Sequence, residues 1–449
     1  MSVHIAGKCR GGMGFLTAVL IAAVVPAFAD LSGVTWGGGI EVATGDAYVG
    51  PWRANASVFE YVDDPAVAID ADGVVGVAWA DQPRKDIFFR LYAPDGTARP
   101  GAPVDISRSP DTFSWLPRIV IAPGDPRTIY ILWQEIIFSG GSHGGDILFA
   151  RSTDGGSTFG APVNLSNSID GDGKGRITAT YWHNGSLDLA IGPSGVLYAA
   201  WSDYQGHLWF NRSTDRGESF TKPSRLAGGG DEAPARAPAL AVGAKGVLYL
   251  AWTVGEDMAA DIRLTRSVDG GRSFDVPRIV YDSDGYSEAP KIAVDGEGTV
   301  HLVYGEGPRG PFAGSHIRYV RLNKKGRRIE RPRVISGPHG ERFESVNFPA
   351  LAMDAADNLY VTWETYPSLQ DFPRGLEFTY SDDGGHSFTA PAAIPGSADA
   401  AGGVNGSRQG MLMKKLAVNR SGAIAVVNST FRRNEISRIL LVRGQAAGP

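Results

Sequence analysis

Apolar and polar residues alternate in short runs along most of the chain, and each run stops at Gly, Pro, Asp or Asn. Such period-two alternation predicts β-strands, and no long helical period is found after residue 30. One phrase recurs: an apolar strand, a tight polar turn, then a second strand ending in an aromatic. It reads "AVAIDADGVVGVAWAD" at 66–81, "LDLAIGPSGVLYAAWSD" at 187–203 and "PALAVGAKGVLYLAWT" at 238–253, with further copies starting at 118, 291, 349 and 415. The closing positions are Trp79, Trp133, Trp201, Trp252, Tyr304, Trp363 and Asn428, spaced by about 58 residues, which is the length of a four-stranded antiparallel sheet with its loops.

A third strand follows every phrase, and a Pro-flanked fourth follows the first six. The seventh repeat runs out of chain after its third strand. The stretch "GGGIEVATG" at 37–45 is then the natural donor of the missing outer strand. Pairing the two ends closes a ring and removes exposed edges. The expected fold is all-β: a β-propeller of seven four-stranded antiparallel blades, with six as the alternative if the ends are less regular.

Composition adds little to this but agrees with it. Of 449 residues, 59 are Gly and 28 Pro, as a turn-rich all-β chain requires. The first 29 residues read as a signal peptide: Lys8 and Arg10, an apolar run from Phe15 to Val25, then small residues Ala27 and Ala29 ahead of a cleavage site before Asp30. Residues 30–449 then form a single propeller domain, secreted or periplasmic. The sole cysteine, Cys9, falls in the segment removed, so no disulfide or thiolate metal site is expected. The formal charge of −5 becomes −7 without Lys8 and Arg10, a poor match to nucleic acid. A monomer with no membrane attachment after signal removal is expected.

Four segments fit Ser-x-Asp-x-Gly-x-Ser/Thr-Phe: "STDGGSTF" (152–159), "STDRGESF" (213–220), "SVDGGRSF" (267–274) and "SDDGGHSF" (381–388). All lie between the third and fourth strands of a repeat. The carboxylate suits the backbone N–H groups of a turn, the Gly a positive φ, and the Phe a gap between sheets. The pattern resembles the Asp box, or BNR repeat, of the sialidase-like propeller superfamily. That resemblance implies a structural turn on the face away from the active site. It assigns structural roles to Ser152, Asp154, Gly156, Phe159, Ser213, Asp215, Gly217 and Phe220. The same holds for Ser267, Asp269, Gly271, Phe274, Ser381, Asp383, Gly385 and Phe388.

If these turns mark the bottom, ligand sites belong at the top, over the axis. Three groups of residues map there. At the start of the innermost strands the aligned positions are Ala66, Arg118, Asp188, Ala239, Lys291, Ala350 and Lys415, a set suited to an anionic ligand or to internal ion pairs. Past the aromatic of the second strands stand Asp81, Glu135, Asp203 and Glu306, acid–base candidates or partners of nearby arginines. The long connection at 166–186 brings Tyr181, Trp182 and His183. Asp170 and Asp172 there match part of a calcium loop, but Lys174 occupies the third acidic position. No cofactor or metal is therefore expected, calcium at Asp170 and Asp172 being the sole alternative. Trp115, Tyr204, Tyr286 and Tyr366 add top-side aromatics.

The sialidase resemblance implies three arginines on a sugar carboxylate, an Asp acid and a Tyr–Glu nucleophile. Arg118 starts an inner strand, as the first family arginine does. Arg236, Arg374 and Arg408 lie on top loops, and Tyr286 with Glu288 or Tyr366 with Glu364 could form the pair. The family's Arg-Ile-Pro motif is absent from this sequence. The preferred expectation is a binder of glycan or an extracellular protein, without sialidase chemistry; the alternative is a sialidase or other glycoside hydrolase. Three arginines converging beside a Tyr–Glu pair would mark the former enzyme. Two carboxylates ~5–10 Å apart across the mouth would mark another glycosidase or lyase.

Overall fold

The computed structural model describes residues 28–31, 33–139, 142–166, 186–203, 205–229, 231–255, 260–308, 314–337, 343–368, 373–398, 403–404 and 414–446. The strands form seven antiparallel blades in ring order. Six are four-stranded sheets whose strands are consecutive in the chain. Their innermost strands are Val62–Ile69, Phe113–Ala122, Leu187–Ile191, Ala235–Val242, Tyr286–Val294 and Ser345–Met353. The seventh blade uses Leu416–Val418, Ala423–Arg432 and Ile436–Ala446. Ile40–Gly45 pairs with its last strand (Ile40 opposite Leu441, Gly45 opposite Ser437), and Val34–Trp36 continues that edge. The two ends close the ring as the incomplete seventh repeat predicts.

Each blade is apolar on both faces because it is sandwiched between two others. The aromatic that closes each of the first six phrases is wholly buried: Trp79, Trp133, Trp201, Trp252, Tyr304 and Trp363 are at most 1% exposed. In this packing the repeated side chains do the same work in each wedge, which is why the repeat is visible in the sequence.

The Asp boxes lock the lower outer corners. In the turn at 152–159, one oxygen of Asp154 accepts from Ser152 Oγ (2.8 Å) and from the N–H groups of Ser157 (2.9 Å) and Thr158 (3.0 Å). The other oxygen accepts from Thr158 Oγ1 at 2.6 Å. The side-chain bond from Thr158 leads in holding this carboxyl well below the usual carboxylate range. The phenylalanine of each box packs edge-on against a third-strand aromatic of the preceding blade. Those pairs are Phe159 on Phe89, Phe220 on Phe149, Phe274 on Phe210 and Phe388 on Tyr319, with ring centroids 4.8–5.4 Å apart. Gly156 has φ +76°, and a Cβ there would sit 2.4 Å from Phe89 Cε1, so glycine is required twice over. The box is thus a clamp between adjacent blades.

Five innermost strands share a feature that repeat counting overlooks. Asp64, Leu116, Ala237, Ala289 and Phe348 all have φ between 49° and 57°, and each precedes a proline. Strand register shifts at the same five places. Proline has no N–H to lose from the ladder, so the bulge is inexpensive there. The bulge resets the register just above Ala66, Arg118, Ala239, Lys291 and Ala350.

Asp154→Ala is expected to lower stability by ~1 kcal/mol, the usual cost of losing a turn-capping side chain, read as a drop in melting temperature with ligand binding intact. Because the folded carboxyl is the stronger acid, its contribution is present above pH ~4 and lost as pH falls below it. Acid denaturation of the Asp154→Ala protein should therefore show a shallower pH dependence below pH ~4 than that of the wild type.

Candidate functional site: an axial cationic cavity

The innermost strands enter from the top, so residues at one repeat position meet around the axis. There Arg118, Asp188, Ala239, Lys291, Ala350 and Lys414 line a cavity of about 110 Å³. Leu189, Leu240, Ile292, Leu351 and Leu416 complete its lining. This volume is under the ~300–1,000 Å³ of pockets that enclose a whole small ligand. It suits a single charged substituent.

Three cations from three blades surround one carboxylate. Arg118 Nε stands 3.8 Å from Asp188 Oδ1, and Arg118 Nη1 donates to its neighbour Pro117 O at 2.9 Å. The other Asp188 oxygen accepts from Leu240 N at 2.8 Å, fixing the acid across blades 3 and 4. Lys414 Nζ donates to Ile119 O at 2.7 Å. Burial lowers the Arg118 guanidinium, against the pull of Asp188. Burial first, then Arg118, pushes the Lys291 ammonium down to about 7. Burial also brings Lys414 down to about 8, although Asp188 opposes it. Asp188 and, more distantly, Asp64 are the acids whose charge supports Arg118 here.

Of the aligned set, Arg118, Asp188 and Lys291 come together as expected, and Lys415 does not join them. Its Nζ lies 2.8 Å from Glu364 Oε1 and donates to Phe348 O at 2.9 Å, toward blade 6. Both partners of this ion pair are at most 1% exposed. Neighbouring strand residues face opposite sides, so the buried acid takes Lys415 and leaves Lys414 to the axis. The sequence alignment named the wrong member of this Lys-Lys pair.

The second-strand acids stay within their own blades. Glu135 is buried and accepts from Thr112 Oγ1, Ser114 Oγ (2.6 Å) and Trp133 Nε1 (3.1 Å). Burial pushes it up to about 7 despite these bonds. Asp203 holds its own turn through the N–H groups of Gln205 and His207, His207 Nδ1 and Trp209 Nε1. Asp81 pairs with Arg84 at 3.3 Å and Glu306 with Arg318 at 2.9 Å. Local packing explains all four.

Two tyrosine–glutamate pairs lie buried, one in blade 6 and one in blade 5. Tyr366 OH donates to Glu364 Oε2 at 2.7 Å. Tyr286 OH accepts from Arg236 Nη2 at 2.8 Å, and Glu288 accepts from Asn347 Nδ2 at 2.8 Å. Burial raises both Tyr286 and Glu288; the Glu288 charge adds to the rise of the tyrosine while Arg236 opposes it, and Asn347 opposes the rise of Glu288. Arg236 is spent on Tyr286 and Gly255 O, and Arg374 precedes the third strand of blade 6, so among the described residues no second arginine lines the cavity with Arg118. Tyr181, Trp182, His183, Tyr204, Asp170, Asp172 and Arg408 lie outside the described residues. Among the described residues no group of three His, Cys, Asp or Glu side chains gathers as a metal site.

No protein-family model matches this sequence, and no curated protein sequence does. Solved structures do match its fold. An ulvan lyase of polysaccharide lyase family PL25, bound to -[GlcA(1-4)Rha3S]-, is 14% identical with a TM-score of 0.59, over 86% of this chain and 94% of that one. The polysaccharide lyase Uly1 is 10% identical with a TM-score of 0.51, over 90% and 92%. The NanB sialidase of Streptococcus pneumoniae (K499G mutant) is 13% identical with a TM-score of 0.46, over 70% and 66%. The two lyase likenesses bear on the fold alone and agree with it: the chain folds as a seven-bladed β-propeller.

Glu364→Gln would leave a buried ammonium at Lys415 without its counter-charge. A loss of ~3–5 kcal/mol is expected in chemical denaturation, and Lys415→Met on that background should restore part of it.

Proposed function

We propose that the protein recognises acidic glycans outside the cytoplasm, docking a carboxylate or sulfate of the sugar in the axial cavity. One observation carries this reading: Arg118, Lys291 and Lys414, from three blades, converge on one small cavity, with Asp188 in its lining and Asp64 acting on Arg118. Burial, and after it the charge of Arg118, makes the two lysines weaker bases. A bound anion counters this through charge-assisted hydrogen bonds. The arrangement is fixed by strands on every side, so little ordering entropy opposes binding. The ulvan lyase with a similar fold holds a chain of GlcA and Rha3S, a polymer bearing both of these anionic groups.

A catalytic reading has one specific support, the Arg236–Tyr286–Glu288 cluster. A phenol held by a guanidinium can carry a proton to or from a sugar. Binding comes first here, because Tyr286 is 3% exposed and sits in a finished network.

The test is titration against uronate, sulfated, sialylated and neutral oligosaccharides. Binding is expected for the acidic ones alone, weakened more than tenfold by Lys291→Met or Lys414→Met. Equal binding of neutral sugars, or no effect of either variant, would refute the reading. Lys291 and Lys414 lose charge as pH rises through about 7 and about 8, so affinity should fall from pH 6 to pH 9, with proton uptake on binding near neutrality. If the Tyr286 cluster is catalytic, Tyr286→Phe abolishes product release from a bound acidic glycan and keeps its affinity.

A further inference from the structure

The link from the outer strand of blade 7 to the inner strand of blade 1 does not run straight. It folds into a small hairpin in which Tyr48–Val49 pairs with Phe59–Glu60. The hairpin lies across the top: Ala47 O accepts from Asn434 N of blade 7 at 2.9 Å, and Asn55 O accepts from Lys85 Nζ of blade 1 at 2.5 Å. Between it and the blade 1 turn runs a cleft of about 200 Å³ lined by Ser57, Phe59, Glu60, Gln82 and Lys85.

Two independent features mark this cleft. Gln82 is only 3% exposed, yet its side-chain carbonyl oxygen has no hydrogen-bond partner. A buried acceptor left in this state calls for a donor. The hairpin also carries the only exposed Phe, Tyr or Trp side chains among the described residues, Tyr48 (40%) and Trp52 (44%); the other described tryptophans are buried or half-buried. Trp52 is backed by Phe59 in a stacked pair 6.3 Å apart. Phe59 meets Phe113 at 5.6 Å, and Phe113 meets Trp115 at 6.1 Å. Trp115 stands just ahead of the bulge that sets Arg118. A chain of aromatic contacts therefore runs from the exposed indole to Trp115, on the strand that carries Arg118.

We infer that Trp52 and the Gln82 cleft form a second carbohydrate subsite, which takes an uncharged face of the same glycan whose anion occupies the axis. The indole presents a flat apolar surface to the C–H face of a pyranose. Gln82 Oε1 accepts from a sugar hydroxyl, and Ser57, Glu60 and Lys85 offer further polar contacts. This assignment rests on the acidic-glycan reading above and extends it from a single anionic group to a chain of several sugars.

The experiment is calorimetric titration of the full protein with galacturonic acid, oligogalacturonates up to the hexasaccharide, a chondroitin sulfate hexasaccharide and cellohexaose. Wild type, Trp52→Ala, Gln82→Ala and Lys291→Met are compared, with thermal melts to confirm folding. Wild-type affinity should grow with chain length. Trp52→Ala and Gln82→Ala should each weaken the preferred acidic hexasaccharide about tenfold and leave galacturonic acid unchanged, and binding of the oligogalacturonates shows whether a carboxylate alone serves as the axial anion. Wild-type binding of the acidic hexasaccharide by both variants would overturn the subsite while leaving the axial reading intact. Loss at Trp52→Ala with no effect of Lys291→Met would do the reverse. Absence of wild-type binding to every probe would overturn both.

Discussion

A blade of this protein cannot exist alone, because both of its faces are apolar. Every sheet must be covered on two sides, and only a closed ring gives each sheet two neighbours. Closure falls to Ile40–Gly45, which completes blade 7 from the opposite end of the chain. Once the ring is closed, the innermost strands have nowhere to go but the axis. Equivalent residues from different blades are then forced into one small space. A repeat position that is unremarkable in sequence becomes a shared cavity in three dimensions, and any charge placed there is felt by every other.

That geometry explains the division of labour along the repeat. Positions between blades can be identical in many repeats, since each wedge needs the same filler; hence the Asp boxes and the buried tryptophans. Axial positions have to differ, since seven identical charges could not share one cavity. Ala239 and Ala350 leave the space, while Arg118, Asp188, Lys291 and Lys414 line it with charge. Repetition reports architecture, and its interruption reports the site.

The same distinction decides what was legible in the sequence. Blade number, strand order and the donated outer strand follow from periodicity, and the structure has all three. Arg118, Asp188 and Lys291 could be aligned because their strands carry a clear pattern. The choice between Lys414 and Lys415 could not, because it depends on Glu364, some fifty residues away in sequence and against Lys415 only in the fold. Glu135 and Asp203 have acid–base side chains but are consumed by local bonds that no spacing reveals. The five pre-proline bulges had a sequence signal, a proline one residue ahead of the axial position, that was open to reading. Trp52 sits in a stretch with no repeat counterpart, so counting passes over it.

Ring closure also has a consequence in time. Ile40 finds its partner Leu441 only after almost the whole chain has been made. Until then the first blade lacks a neighbour on one side, and strands that will be wholly buried stay open to other chains. Contacts of such sequence separation form slowly. The seam that completes the protein is therefore the last part of it to assemble, and the interval before it closes is when the nascent ring is most exposed to misassociation.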